Sequence, residues 1–242
     1  MKKFLSCDWG TSSLRVRLAD TDSGEIFAEH RSETGIAETW RLWLASEKPE
    51  TERIHFYTSR LAEAISQLPV ADYAALPLIL SGMPSSSIGL KELPYRSFPF
   101  LWDPKQLLVE KINGEVKIKH PLYLVSGFTT GDDVMRGEET LLLGLDIPDD
   151  QEQMIIFPGT HSKHVLVKNK TGVDFRTYMT GELFNLLSGQ SILRTAVFPG
   201  EDEDSFAEGL RRRWTATCCT KFLPSAAAIC CSGQIRSATI NG

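Results

Sequence analysis

The period of apolar and polar positions changes repeatedly along the chain, and each change marks an element. Phe4-Leu5-Ser6-Cys7 is a short, largely apolar run that ends in Asp8. After the turn Gly10-Thr11-Ser12-Ser13, the stretch Leu14 to Asp20 opens by alternating apolar and basic residues, the pattern of a half-buried strand. Asp22-Ser23-Gly24 predicts a hairpin turn into a third strand, Glu25 to Glu29. From Thr51 to Leu68 the apolar residues Ile54, Tyr57, Leu61, Ile65 and Leu68 recur at three- and four-residue steps, which predicts an amphipathic helix. Glu38 to Ala45 reads as a short helix or a loop on the substrate side. Leu76 to Gly82 is a buried-type strand opening into the Ser- and Gly-rich stretch Met83 to Gly89, either a ligand-contacting loop at a strand end or a flexible connection. Lys105 to Lys119 is a polar, partly β excursion with a hairpin turn at Asn113-Gly114, and Pro121 to Gly127 is a further apolar strand.

Two later regions carry more chemistry. In Gly131-Asp132-Asp133-Val134-Met135-Arg136-Gly137-Glu138-Glu139, carboxylates stand at the head of an apolar run, where they suit a helix N-terminus. The same carboxylates suit a general base, because phosphoryl transfer to a hydroxyl needs an acceptor for the hydroxyl proton. Gln153 to Val167 then repeats the opening architecture, with an apolar strand, a Gly159-Thr160 turn and a returning strand. Val173 to Phe184 reads as strand, turn and helix, with Thr180 placed to cap that helix.

Both strand-turn-strand units have the composition of phosphate loops. At the first, Asp8 is held at a strand end where it can orient a hydrated Mg2+, and Gly10 lets backbone approach a polyphosphate. The hydroxyls of Thr11, Ser12 and Ser13 can surround anionic oxygens. An ordinary hairpin corner would have the same composition, so the first loop alone does not decide. At the second, Gly159 and Thr160 present N–H and hydroxyl donors while Lys163 supplies a point charge. His161 and His164 lie three apart after that turn, but no carboxylate or Cys completes a metal set with them.

The chain has 242 residues, 26 of them basic and 31 acidic, for a net charge of −5. That balance gives no support to nucleic-acid binding. A negative protein handling a negative substrate must concentrate local positive charge, which draws attention to Arg15, Arg136, Lys163 and Arg176. No run reaches the length of a membrane span and the N-terminus has no apolar leader-like stretch, so a cytoplasmic protein is expected.

Two phosphate loops separated by a carboxylate-led helix fit an α/β, ribonuclease-H-like (actin-like ATPase) architecture in duplicate, as in the sugar kinase, hsp70 and actin superfamily. The segments DWGTSSLR (8–15), SGMPSSSIG (81–89), DVMRGEETLLLG (133–144), FPGTHSKHV (157–165) and DFRTYMTGELFNLL (174–187) resemble the 2-dehydro-3-deoxygalactonokinase family. The resemblance implies ATP-dependent phosphorylation of the 6-hydroxyl of 2-dehydro-3-deoxy-D-galactonate, with ATP and Mg2+ at the site and a small sugar acid as substrate. It places Asp8, Gly10, Thr11 and Ser12 in the first phosphate motif and Gly159, Thr160 and Lys163 in the second. Glu138 is favoured as base, with Asp133 and Glu139 as rivals. Ser81, Gly82, Met83 and Thr180 are expected near the substrate, and Arg136 or Arg176 is expected to grip its carboxylate through a bidentate pair. Another sugar kinase, a phosphohydrolase of the superfamily, or an inactive binding remnant are the alternatives.

The expected domains are residues 1–147, with the first phosphate loop, and 148–242, a partial second unit. Residues 210–242 contain no Asp or Glu although the chain holds 31, and they carry four of its 5 cysteines, Cys218, Cys219, Cys230 and Cys231. Such a shift reads as aberrant sequence replacing the rest of the second domain. Members of the resembled family continue with a glycine-rich adenosine-binding segment that is not found here, which places the activity of this form in doubt.

Overall fold

The computed structural model describes residues 2–68, 76–113, 116–148 and 151–195. Its elements are β1 (Lys3–Trp9), β2 (Leu14–Asp20), β3 (Ile26–Ser32), α1 (Ile36–Ala45), α2 (Arg53–Ser66) and β4 (Leu78–Gly82). There follow β5 (Arg96–Ser97), β6 (Phe100–Leu101), β7 (Val109–Ile112), β8 (Leu122–Val125), β9 (Phe128–Thr129), β10 (Val134–Met135) and α3 (Glu138–Leu143). The described chain closes with β11 (Gln153–Phe157), β12 (Ser162–Lys168), β13 (Thr171–Tyr178) and α4 (Thr180–Gln190).

The first sheet runs β3-β2-β1-β4-β8-β7, with β4 parallel to both β1 and β8 and the remaining pairs antiparallel. Three antiparallel strands continued by parallel ones give the ribonuclease-H-like arrangement expected from the loops. Strand alternation sorts the side chains. Leu5, Cys7 and Trp9 with Val16 and Leu18 join the core built with Ile36, Trp43, Tyr57 and Leu61 of α1 and α2. Ser6, Asp8, Arg15 and Arg17 fall to the other face by the same alternation.

A second sheet, β11-β12-β13-β6, packs Ile155, Phe157, Val165, Val167 and Phe175 against Phe100, Phe128, Met135, Leu142 and Ile147. This cluster is built from both sides of the expected 147/148 boundary. Its aromatic centre is Phe98, whose ring centroid lies 4.9 Å from those of both Phe100 and Phe175. A small third sheet, β10-β9-β5, contributes Phe128 and Met135 to this cluster. Residues 210–242, with their four cysteines, lie outside the described residues.

The two strand-turn-strand units are buttressed alike. The Ile36 and Ala37 amides of α1 donate to the carbonyls of Gly10 and Thr11, at 3.0 and 3.1 Å. At the other unit, the Glu182 amide of α4 donates to the Thr160 carbonyl at 3.0 Å. Each contact requires a glycine at the helix start. A Cβ on Gly35 would stand 2.2 Å from the Thr11 carbonyl oxygen, and one on Gly181 would stand 2.5 Å from that of Gly159.

Several elements differ from their sequence expectation for physical reasons. Of the two readings of Glu38 to Ala45 the helix is the one that forms, because Ile36 and Trp43 drive one face of α1 into the core. β7 and β8 pair antiparallel, and the turn expected at Asn113-Gly114 falls on Gly114, outside the described residues. α3 starts only at Glu138, leaving Asp132 and Asp133 in the preceding loop. Thr180 is the first residue of α4 rather than its cap, and its hydroxyl pairs with the Ser162 hydroxyl at 2.5 Å.

Leu61 is fully buried in the first core, whereas Leu44 on α1 is 58% exposed. Leu61→Ala is expected to lower unfolding free energy by about 2–5 kcal/mol in urea denaturation. Leu44→Ala should stay within about 0.5 kcal/mol of the parent.

Candidate active site

The first loop leaves the sheet where Asp8 ends its run opposite Arg15 on β2 and Ser81 on β4. Gly10 closes the turn through its amide, which donates to the Ser13 carbonyl at 2.8 Å, and the Ser12 side chain faces solvent. Asp8 is open to solvent yet sits in a recess of protein. Those surroundings push its carboxyl pKa upward, and the positive charges of Arg15 and Arg17 pull it back.

The recess is walled by two glycines with positive φ, Gly82 at +88° and Gly137 at +104°. A Cβ on Gly137 would stand 3.3 Å from the Gly82 Cα and 3.8 Å from an Asp8 carboxylate oxygen. One on Gly82 would stand 2.7 Å from the Trp9 carbonyl oxygen. The two backbones therefore crowd the carboxylate without side chains of their own, and α3 begins beside it with Glu138.

The three candidate carboxylates occupy different situations. Glu139 is fully buried, and one of its oxygens accepts from the Gly137 amide at 2.7 Å while the other has no partner. Burial raises its pKa to about 8, and the neighbouring Glu138 adds to the rise. Asp133 accepts from the Thr177 amide at 2.6 Å, the Thr177 hydroxyl at 2.7 Å and the Val134 amide at 2.7 Å. Glu138 is half-buried with one oxygen lacking a partner. Desolvation lifts its pKa; its own amide, the Lys163 charge and the Arg136 amide oppose the rise, while Asp8 adds to it.

The second loop leaves Gly159 and Thr160 exposed at its turn. Lys163, on β12, turns inward and donates to the Val134 carbonyl and the Thr177 hydroxyl, both at 2.6 Å. Burial lowers its pKa, against the pull of Glu138, Asp133 and Glu139. His161 bonds Glu182 of α4 at 2.5 Å, and the His164 ring lies 4.4 Å from that of Tyr178.

The residues expected around the substrate divide. Ser81 and Gly82 end β4 beside Asp8, Met83 opens the helical turn that follows, and Ser81 donates weakly to the Cys7 carbonyl at 3.4 Å. The following loop is anchored rather than flexible. Arg53 donates to the Gly89 carbonyl at 2.8 Å and to the Ser87 carbonyl, and the Tyr57 hydroxyl donates to the Ile88 carbonyl at 2.6 Å. Arg136 is also committed inward, to Tyr95, Ser85 and Leu93. Arg176 is exposed on the face of β13 opposite Thr177, alongside His164, and Thr180 lies behind the second loop. Sequence reasoning missed Tyr95, Arg53, Tyr57 and Glu182 as supports of the site. The only signal for them is a polar residue inside an apolar face, which does not reveal its partner.

For Mg2+, Asp8 suits an ion that keeps most of its water shell and takes one protein carboxylate, because glycine backbone rather than side chain crowds it. Among the described residues no group of three His, Cys, Asp or Glu could hold a metal on its own. No described helix is long and apolar enough to cross a membrane.

The profile of the 2-keto-3-deoxy-galactonokinase family matches residues 8–228, past the change of composition at Leu210. The 2-dehydro-3-deoxygalactonokinase of Escherichia coli (strain K12) is 28% identical over 215 residues, covering 87% of this chain and 65% of that protein. DgoK1 of Rhizobium meliloti (strain 1021), assigned the same activity, is 31% identical over 215 residues, covering 85% of this chain and 62% of that protein. The chain thus spans less than two thirds of the length of both. A crystal structure of a Sinorhizobium meliloti protein assigned as a 2-dehydro-3-deoxygalactonokinase superposes with TM-score 0.63 at 29% identity, over 93% of this chain and 72% of that one.

Glu139 gives a measurable pH signature. Its folded pKa of about 8 exceeds the ordinary 4.5, so between those values the folded state holds a proton that the unfolded state has lost. Its contribution to stability therefore falls as pH rises through that window, by at most about 1.4 kcal/mol per pH unit. Glu139→Gln should remove this component. Urea midpoints measured from pH 4.5 to 8 would then decline less steeply in the variant than in the parent.

Proposed function

The chain belongs to the 2-keto-3-deoxy-galactonokinase family, and on that premise we propose that it transfers the terminal phosphoryl group of ATP to the 6-hydroxyl of 2-dehydro-3-deoxy-D-galactonate. The observation that carries the reading is the place of Glu138. It is the one carboxylate of its segment with both an unpartnered oxygen and partial exposure, and it feels the charges of Asp8 from the first loop and Lys163 from the second.

In this mechanism Glu138 accepts the hydroxyl proton as the sugar oxygen bonds to phosphorus and the bond between that phosphorus and the ADP oxygen breaks. Glu138 serves because desolvation keeps its carboxylate more basic than an ordinary glutamate. Asp133 serves as an anchor for Thr177, and Glu139 holds the Gly137 amide. Lys163 has two of its three N–H bonds committed to Val134 and Thr177, which leaves the third for the transferring group. Thr11 and Ser12 on one side, where Gly10 keeps the turn clear of a side chain, and Gly159 and Thr160 on the other, receive the phosphates through amide and hydroxyl donors. Asp8 would hold Mg2+, whose charge offsets that of the phosphoryl oxygens. Ser81, Gly82 and Met83 border the sugar acid, and Arg176 remains the candidate for its carboxylate. The reaction belongs to galactonate catabolism in the cytoplasm, where ATP is supplied.

ATP consumption by the 242-residue chain, assayed with a panel of sugar acids, tests this directly. Turnover is expected with 2-dehydro-3-deoxygalactonate above other sugar acids. Glu138→Gln should lower kcat by about 10²–10⁴-fold, the range for loss of a general base. Asp8→Asn should abolish Mg2+-dependent turnover. The acid limb of kcat/KM is expected above the ordinary glutamate range and should vanish in Glu138→Gln. A chain that stays folded, binds ATP and phosphorylates none of the panel would overturn the proposal.

A further inference from the structure

Arg136 immediately precedes the Gly137-Glu138 corner, and its side chain leaves that corner for another part of the molecule. Its Nε donates to the Tyr95 hydroxyl at 2.9 Å, and its guanidinium carbon lies 4.1 Å from the centre of the Tyr95 ring. One terminal nitrogen donates to the Ser85 hydroxyl at 2.6 Å and also to the Ser85 carbonyl. The other reaches the Leu93 carbonyl at 3.4 Å. Ser85 is fully buried, so this guanidinium is the partner of a polar group that water does not reach. The stem is confined as well, since a Cβ on Gly127 would stand 2.7 Å from the Arg136 Cγ. A side chain so engaged has no fork left to offer a substrate carboxylate.

On the other side of the same residue, the main chain turns at Gly137 and delivers Glu138 to the recess beside Asp8. The Arg136 amide faces the Glu138 carboxylate. Residues 83–95 are independently fixed to α2 by Arg53 and Tyr57. Side chain and main chain of one residue thus connect α2, through the 83–95 loop, to the carboxylate.

We propose that Arg136 is a positioning residue for the phosphoryl transfer, one that locks the Gly137-Glu138 corner to the 83–95 loop and so fixes Glu138, rather than a ligand for the substrate carboxylate. The proposal rests on Glu138 as the base, and its test separates the two. Arg136→Gln and Tyr95→Phe would be compared with the parent by hydrogen exchange, by kcat and KM for the sugar acid, by the pH profile of kcat, and with added guanidinium. Arg136→Gln is expected to speed exchange in residues 83–95 and 134–144 together. In turnover it should lower kcat by about 10-fold to 10²-fold with KM changed by less than about 3-fold, shift the acid limb set by Glu138, and recover in part with guanidinium. Tyr95→Phe, which removes one acceptor and spares the ring, should show the same pattern more weakly and guards against a fold failure in the first variant. A large rise in KM at unchanged kcat, or exchange confined to one of the two segments, would overturn the proposal. If the parent chain shows no turnover, the loss falls on the assignment of Glu138, and the exchange pattern still decides whether Arg136 joins the two segments.

Discussion

The passage of Gly137 over Gly82 and the Asp8 carboxylate sets how near the acidic groups of this protein stand, and the electrostatics of the cleft follow from it. Asp8, Glu138 and Glu139 come from two distant stretches of chain and gather where Lys163 and Arg136 supply positive charge from within the protein. Three ionised acids in one low-dielectric recess would repel. The structure separates them by environment. Asp8 stays in contact with solvent and with Arg15 and Arg17, Glu138 is half-shielded, and Glu139 is sealed away and holds its proton to about pH 8. A neutral Glu139 spares Glu138 a second adjacent negative charge.

The two loops show how the same local problem is solved twice. Two amides at the start of α1 and one at the start of α4 are spent on loop carbonyls rather than left pointing at a ligand. An anion at these turns would therefore meet the loops' own amides and hydroxyls and Lys163, with the helices acting as braces. The glycines at 35 and 181 permit that bracing, and the hydroxyl pair of Ser162 and Thr180 reinforces the second one.

What was legible in the sequence was what local pattern controls. The α2 periodicity, the alternation in β2 and the strand-turn-strand units all form as read, because a single buried face dictates each of them. The placement of Asp8 beside Gly82 and of Glu138 beside Lys163 depends on strand order, β1 next to β4, which the spacing of motifs hints at but does not determine. The inward commitment of Arg136 was illegible. An arginine before Gly-Glu-Glu looks the same whether its guanidinium meets a substrate or a buried serine fifty-one positions back. Likewise Thr180 has the residue type of a cap, and a neighbour in space, Ser162, took its hydroxyl.

Trp9 follows Asp8 directly, is shut off from water, donates its indole N–H to the Thr34 carbonyl at 3.2 Å and lies 6.0 Å from the Tyr57 ring. It is thus moored on one side to the segment leading into α1 and on the other to α2, while its backbone continues into the turn at Gly10. An immobilised, dry indole in asymmetric surroundings produces sharp near-ultraviolet circular dichroism. The fold has placed a chromophore at the root of its first loop, so a movement of that loop carries an optical signature without any label being attached.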